Sequence, residues 1–244
     1  RISNYEKKLF RSTTAHRSIR SFSKFVVYAR EIYSSSLESF VSDPNSYIKK
    51  ESLMKDGNST TVAQFNLNGK ICVIKRYNLN SLWQKVKYLF KTSRAAKCWR
   101  NSLMLRMIGV ETPRPFIIIE ERLFGLLRQK AYFVCEKIEA PNLLESLNGD
   151  QFNSSELGQI ITKFRNLFQI MIDYKISHGD MKASNFIYHN GQLIVLDLDG
   201  MKRHPSNRAF KKAIRKDFKR FIKNWQNSEY EEGFKSLINE FDCV

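Results

Sequence analysis

Residues 178–186, HGDMKASNF, set an aspartate, a lysine and an asparagine at fixed offsets, and a second aspartate, Asp197, follows in LIVLDLDG twelve positions after Asn185. Moving a phosphoryl group from a nucleotide needs such a set. The transition state is loose and its charge is spread over the transferred oxygens, so catalysis is mostly positioning and electrostatic stabilisation. A carboxylate must orient the acceptor hydroxyl and take its proton, a cation must meet the γ-phosphate, and hard oxygen ligands must hold Mg²⁺. Asp180 suits the first task, Lys182 the second and Asn185 the third. Asp197 is the fourth part, because a short hairpin turned at Asn190-Gly191 would fold it back beside Asn185 to share an ion. Asp199 is a candidate auxiliary ligand, and His178 reads as a brace for the loop. Taken singly, Asp180 could be a turn residue, Asn185 a loop cap and Asp197 a strand end. Order and spacing together are what specify phosphoryl transfer.

The elements that must hold these residues follow from patterning. Residues 46–78 read as two or three strands, with turns at KDGNST, where Gly57 can take positive φ, and at NLNGK, where Asn68-Gly69 signals a hairpin. KICVIKRY is an apolar strand that carries Lys75. Helical spacing then links Leu82, Val86 and Leu89, and again Trp99, Leu103 and Met107, with Gly109 as a stop. PFIIIEE and KAYFVCEKI are strands turned near Gly125, and PNLLESL starts a short helix. A long amphipathic helix, capped by Ser154 or Ser155, precedes the catalytic string. A basic helix and a mixed-charge helix follow it. Trp99 and Phe186 read as core residues. Strands dominate the first part and helices the second, which predicts an α+β, two-lobed chain with a crossover between residues 136 and 143. The expected organisation is a basic N-terminal extension over residues 1–44, an N-terminal lobe over 45–138 and a C-terminal lobe over 139–244. The extension, with SKFVVYAREIY as its amphipathic piece, could be a helical extension, a surface-binding arm or a poorly ordered leader; Asp43-Pro44 breaks it from the rest.

With 42% hydrophobic and 13% aromatic residues, the 244-residue chain can bury a sizeable core. It starts at Arg1 rather than Met, so a processed or partial chain is expected. No apolar run approaches the ~18 residues that a spanning helix needs. Cys72, Cys98, Cys135 and Cys243 are far apart and have no metal-ligand spacing, which points to thiols in a reducing compartment. Forty-one Lys/Arg against 24 Asp/Glu give +17, a field that attracts polyanions. Between residues 202 and 223, ten cations face Asp217 alone. No nucleic-acid recognition motif accompanies them, so nucleic acid is a weak candidate.

HGDMKASNF with VLDLDG resembles the catalytic and metal-binding loops of the protein-kinase-like superfamily. Lys75 in VIKRY looks like the strand lysine that grips the α/β-phosphates. LMKDGNSTTVAQF, with Gly57, stands where the phosphate-covering loop does, although it has one glycine instead of three. FVCEKIEA is similar to the interlobe hinge, where Glu136, Lys137 and Ile138 would meet the adenine edge. Within the superfamily, VIKRYN, SRAAKCWRNSLMLRMIGVETPRP and HGDMKASNF most resemble the lipopolysaccharide kinase (Kdo/WaaP) family, over roughly residues 50–225. That resemblance implies a protein-kinase-like fold with a small antiparallel-sheet lobe and a mainly helical lobe. It also implies ATP and Mg²⁺ as cofactors and a sugar of the lipopolysaccharide inner core as acceptor. The site would be cytoplasmic and peripheral, at the anionic inner-membrane surface. No protein partner is indicated. One departure stands out: kinases pair the strand lysine with a helix glutamate, and SRAAKCWRN contains no acid and has Cys98 instead. An atypical protein or small-molecule kinase, or a weakly catalytic pseudokinase acting as a binding module, are the alternatives.

Overall fold

The structure, a computed structural model, describes residues 5–78, 91–125, 127–149 and 153–241. The helix expected through Leu82, Val86 and Leu89, and Cys243, lie outside them. The chain divides into two compact units: residues 1–104 with 113–138, and residues 105–112 with 139–244.

The first unit is built on an antiparallel sheet of seven strands in the order β1-β2-β6-β7-β5-β4-β3. They are β1 (His16–Arg20), β2 (Lys24–Ala29), β3 (Leu53–Asp56), β4 (Thr60–Leu67), β5 (Lys70–Tyr77), β6 (Pro115–Leu123) and β7 (Leu127–Glu136). A short helix α1 (Ser35–Ser42) lies between β2 and β3 and stops at the Asp43-Pro44 signal. Helix α2 (Arg94–Met107) comes between β5 and β6 and ends just before Gly109, at φ 84°. Asn68-Gly69 closes the β4–β5 hairpin with both residues left-handed, at φ 54° and 80°, as an Asn-Gly turn does.

Residues 16–29 are neither a helical extension nor a poorly ordered leader. They form a hairpin that joins the sheet through β2–β6 pairing. The cause lies in KFVVYA, which is apolar on both faces. Phe25 and Val27 pack with Trp99, Cys98 and Ile118 on one side, and Val26 and Tyr28 pack with Phe40, Ile74 and Ile117 on the other. A run apolar on both faces suits an interior strand rather than an amphipathic helix. Residues 5–10 add Leu9, which is buried in the first of these clusters, and the Trp99 indole N–H donates to Leu9 O at 2.9 Å. Gly57 differs too. It lies outside the left-handed region and exchanges backbone bonds with Thr60, because the turn is made at Asn58 and Ser59.

The second unit contains helices α3 (Leu143–Gly149), α4 (Ser154–Asp173), α5 (Asn207–Ile222) and α6 (Glu231–Asn239). It also holds two small two-stranded pairs, β8 (Ile176–Ser177) with β11 (Lys202–Arg203) and β9 (Phe186–His189) with β10 (Gln192–Val195). Asn153, not a serine, caps α4: its side chain accepts from Glu156 N, and Glu156 reaches back to Asn153 N. This reciprocal box satisfies two end donors where a serine one position on would satisfy one. The core is aromatic. Phe164 and Phe168 of α4 meet Phe186, Phe218, Phe221, Phe234 and Phe241 at centroid separations of 4.8–5.9 Å.

Candidate active site

Phe186 is fully buried against Phe164, so the residue ending the HGDMKASNF string is its anchor in the core. Immediately before it, Ala183–Asn185 form one turn of 3₁₀ helix. Asn185 N donates to Lys182 O at 2.9 Å, and Lys182 N donates to Asp180 O at 3.0 Å. The Asn185 amide donates from Nδ2 to Asp180 O at 2.8 Å. That bond fixes the amide's orientation and leaves the Oδ1 lone pairs for an ion. Asp180 and Lys182 meet at 3.0 Å, and both are about two-fifths exposed.

The second motif is brought back to this loop as its spacing predicts. Asn190-Gly191 turns the β9–β10 hairpin at φ 49° and 70°, and Phe186 pairs with Val195. Leu196 N then donates to Asn185 O at 2.8 Å, which places Asp197 next along the chain. Asp197 is left-handed, at φ 56°, a conformation that costs a non-glycine residue and persists where surrounding structure demands it. Two contacts lock the motifs together. His178 is buried and its pKa is lowered by that burial. Its Nδ1 accepts from Asp180 N at 3.3 Å, so the neutral ring carries its proton on Nε2 and donates to Leu196 O at 2.9 Å. Gly179, at φ 91°, runs so close to Gly200 that a Cβ on it would stand 2.9 Å from Gly200 O.

Patterning missed the residue that holds this loop from below. Asp217 on α5 is 3% exposed and accepts from His178 N at 2.6 Å and from Gly179 N at 2.9 Å. Burial pushes its carboxyl up to about 6, against the pull of these two N–H donors. Its signal in the sequence was its isolation as the one acid among ten cations. The structure explains that isolation: the ten cations are exposed and Asp217 alone turns inward. Arg220, one turn further, reaches Asp180 at 3.5 Å, and Asn224 donates to Met181 O at 2.9 Å. Asp217 and Arg220 of α5, and Asn224 just past its C-terminal end, thus contact the loop at three points.

In the first unit, Lys75 sits on β5 in register with Val62 and Phe133. Phe133 pairs in turn with Ile118, so Lys75 shares the sheet face that packs against α2. Cys98 of α2 is buried there and contacts the Tyr77 hydroxyl at 3.2 Å. The residues of α2 include no Asp or Glu. The buried acid on this sheet face is Glu120 of β6, and it accepts from Ser93 Oγ at 2.6 Å and Arg122 at 3.1 Å. Cys72 and Cys135 are buried thiols, pushed up by burial to about 11 and about 12. Glu136–Ile138 are the last residues of this unit. Glu136 N donates to Arg114 O and Lys137 N to Ile71 O. Gly57 closes the β3–β4 turn, where a Cβ would stand 3.2 Å from Thr60 O.

Asn185, Asp197 and Asp199 offer an amide oxygen and two carboxylates. Such a set fits Mg²⁺, which takes few protein ligands and fills its shell with water and phosphate oxygens.

Comparison with known proteins agrees with this layout. A search of curated protein sequences finds no match. Among solved structures, one described as WaaP in complex with acyl carrier protein is similar over 79% of this chain and 86% of that chain, with a TM-score of 0.50 and 14% identity. At that identity the likeness speaks for the fold. The sequence model of the Lipopolysaccharide kinase (Kdo/WaaP) family matches residues 47–236, a span that takes in the strand lysine, the HGD loop, the β9–β10 hairpin and α5. The chain therefore belongs to the lipopolysaccharide kinase (Kdo/WaaP) family.

Proposed function

We propose that this kinase transfers the γ-phosphate of ATP, with Mg²⁺, to a sugar hydroxyl of the lipopolysaccharide inner core. Family membership supports a phosphotransferase acting on lipopolysaccharide, and the nucleotide, the ion and the inner-core position are our extension of it. The observation that carries the reading is the bonded assembly of Asp180, Lys182 and Asn185 on one loop, with Leu196 hydrogen-bonded to that loop beside Asp197. Asp180 orients the acceptor hydroxyl and takes its proton. Lys182 neutralises charge on the transferred group, and Lys75 holds the nucleotide phosphates. Asn185, Asp197 and, as an auxiliary, Asp199 hold the ion, which screens the phosphate charge when bound. Gly57 covers the phosphates from the β3–β4 turn, and the backbone of Glu136, Lys137 and Ile138 meets the adenine.

The acceptor is anionic and lies at a charged surface, which suits the exposed cations of α5. Near anionic lipid each Lys or Arg gains roughly 1 kcal/mol, so the protein acts peripherally at the cytoplasmic face of the inner membrane. Among the described residues, no helix is long and apolar enough to cross a membrane. The absence of an acid from α2 favours a second reading, a weakly catalytic pseudokinase. One experiment separates the two: incubation with labelled ATP, Mg²⁺ and core oligosaccharides, for the parent and for Asp180→Ala. A positioned base contributes roughly 10²–10⁴-fold, so transfer to sugar should fall by at least about a hundredfold in the variant. Equal transfer by both proteins refutes the enzyme reading, and phosphate found on protein side chains instead of sugar refutes the acceptor.

A further inference from the structure

The two most exposed large apolar side chains among the described residues are Phe22 and Phe124, at 70% and 68%. They lie on neighbouring turns. Phe22 is at the apex of the β1–β2 turn, which closes with Ser21 N donating to Lys24 O at 2.8 Å. Phe124 opens the β6–β7 turn. The two tips are joined, with Arg122 N donating to Ser23 O at 2.7 Å, and a Cβ on Gly125 would touch the Phe22 ring at 3.4 Å. Leu123 and Ile19, on the strands leading into these turns, are also exposed.

Turn chemistry does not account for these residues. Tight turns select Gly, Asn, Asp, Ser or Pro, and the chain uses Asn before Gly at its other two left-handed hairpins, Asn68-Gly69 and Asn190-Gly191. Here Phe124 takes that position, at φ 52° before Gly125 at φ 71°. A bulky aromatic in the left-handed region is strained, and such strain is retained where a function needs the side chain.

The surroundings of the tips are cationic. Residues 17–24 and 120–130 carry six Lys/Arg against Glu120 and Glu121. Arg20 and Arg122 lie over the Phe25 ring at 5.2 and 5.4 Å, which fixes their stems at the tips. Glu120 is buried and pairs with Arg122 and Arg128, themselves about four-fifths buried. The Lys24 ammonium is bonded to Val41 O and Ser42 O, which leaves Arg17, Arg20 and Lys130 as the exposed cations of the rim. Protruding aromatics ringed by cations match an anionic bilayer: rings enter the headgroup boundary while guanidinium and ammonium groups stay at the phosphates.

We propose that the paired β1–β2 and β6–β7 tips form a bilayer-inserting anchor for anionic lipid, led by Phe22 and Phe124. The anchor shares the membrane with the reading above but is separate from the phosphotransfer residues. The test is co-sedimentation of the full chain with phosphatidylcholine vesicles, with and without phosphatidylglycerol. Roughly 0.5 M salt screens the purely electrostatic part. Three proteins are compared: the parent, F22S/F124S, and a control, Y33S/M54S, which removes apolar groups exposed elsewhere. The parent should partition onto anionic vesicles, F22S/F124S at least tenfold less, and the control like the parent. The proposal is overturned if the parent ignores vesicles, if F22S/F124S binds as well as the parent, or if the control loses as much. Transfer to a water-soluble core oligosaccharide should be unchanged in F22S/F124S. Loss of bilayer binding with intact transfer therefore tests the anchor, while absent transfer by the parent tests the kinase reading alone.

Discussion

Asp217→Asn isolates the one buried carboxylate beneath the catalytic loop. The carboxyl is raised from 3.8 to about 6, with burial as the leading cause. In the window between those values the folded protein keeps a proton that the unfolded chain has released, so stability falls as pH rises through it. At roughly 1.4 kcal/mol per unit, the span amounts to about 3 kcal/mol, present in full at low pH and lost once pH passes the folded value. Asparagine keeps one acceptor oxygen for the His178 and Gly179 N–H groups and cannot ionise. Urea unfolding of parent and variant at a series of pH values gives the difference between them, in which every other titrating group cancels. Relative to the variant, the parent should lose about 3 kcal/mol between about pH 4 and about pH 7. A difference that is flat with pH, or that grows in the parent's favour, refutes the burial argument. Turnover offers an independent reading. The amide turns an N–H toward one of the two loop donors, so transfer should fall even at a pH where the variant is the more stable protein.

Gly179→Ala should cost about 2–5 kcal/mol, from left-handed strain together with a Cβ 2.9 Å from Gly200 O. A melting temperature within a degree or two of the parent would refute that contact. Arg220→Ala removes a half-exposed partner of Asp180, so stability should move by no more than about 1 kcal/mol. The same change should lower kcat while leaving KM for ATP unchanged, and undiminished kcat would show that Arg220 does not position Asp180.

Much of the site was readable as text because its parts are local. Asp180, Lys182 and Asn185 lie within six residues, and the bonds among them span no more than five positions. Asp197 was placed by hairpin arithmetic, since Asn190-Gly191 admits a two-residue turn and fixes the register of Phe186 with Val195. Tertiary structure decided the contacts made at long range. Asp217 lies 38 and 39 residues from the N–H groups it accepts, and no local rule links a helix acid to a loop that far upstream. The strands β1 and β2 were hidden for a related reason. KFVVYA has no single apolar face, and only pairing with β6 shows that both faces are covered. Gly57 shows the reverse error, because the ladder partner of a turn residue, rather than its type, settled its conformation. Sequence determined what is encoded by spacing along the chain, namely the candidate loop residues and the hairpin that brings the second motif back to them. The buried carboxylate under the loop, the Gly179–Gly200 approach and the joined phenylalanine tips exist only where distant segments meet, so only the fold could decide them.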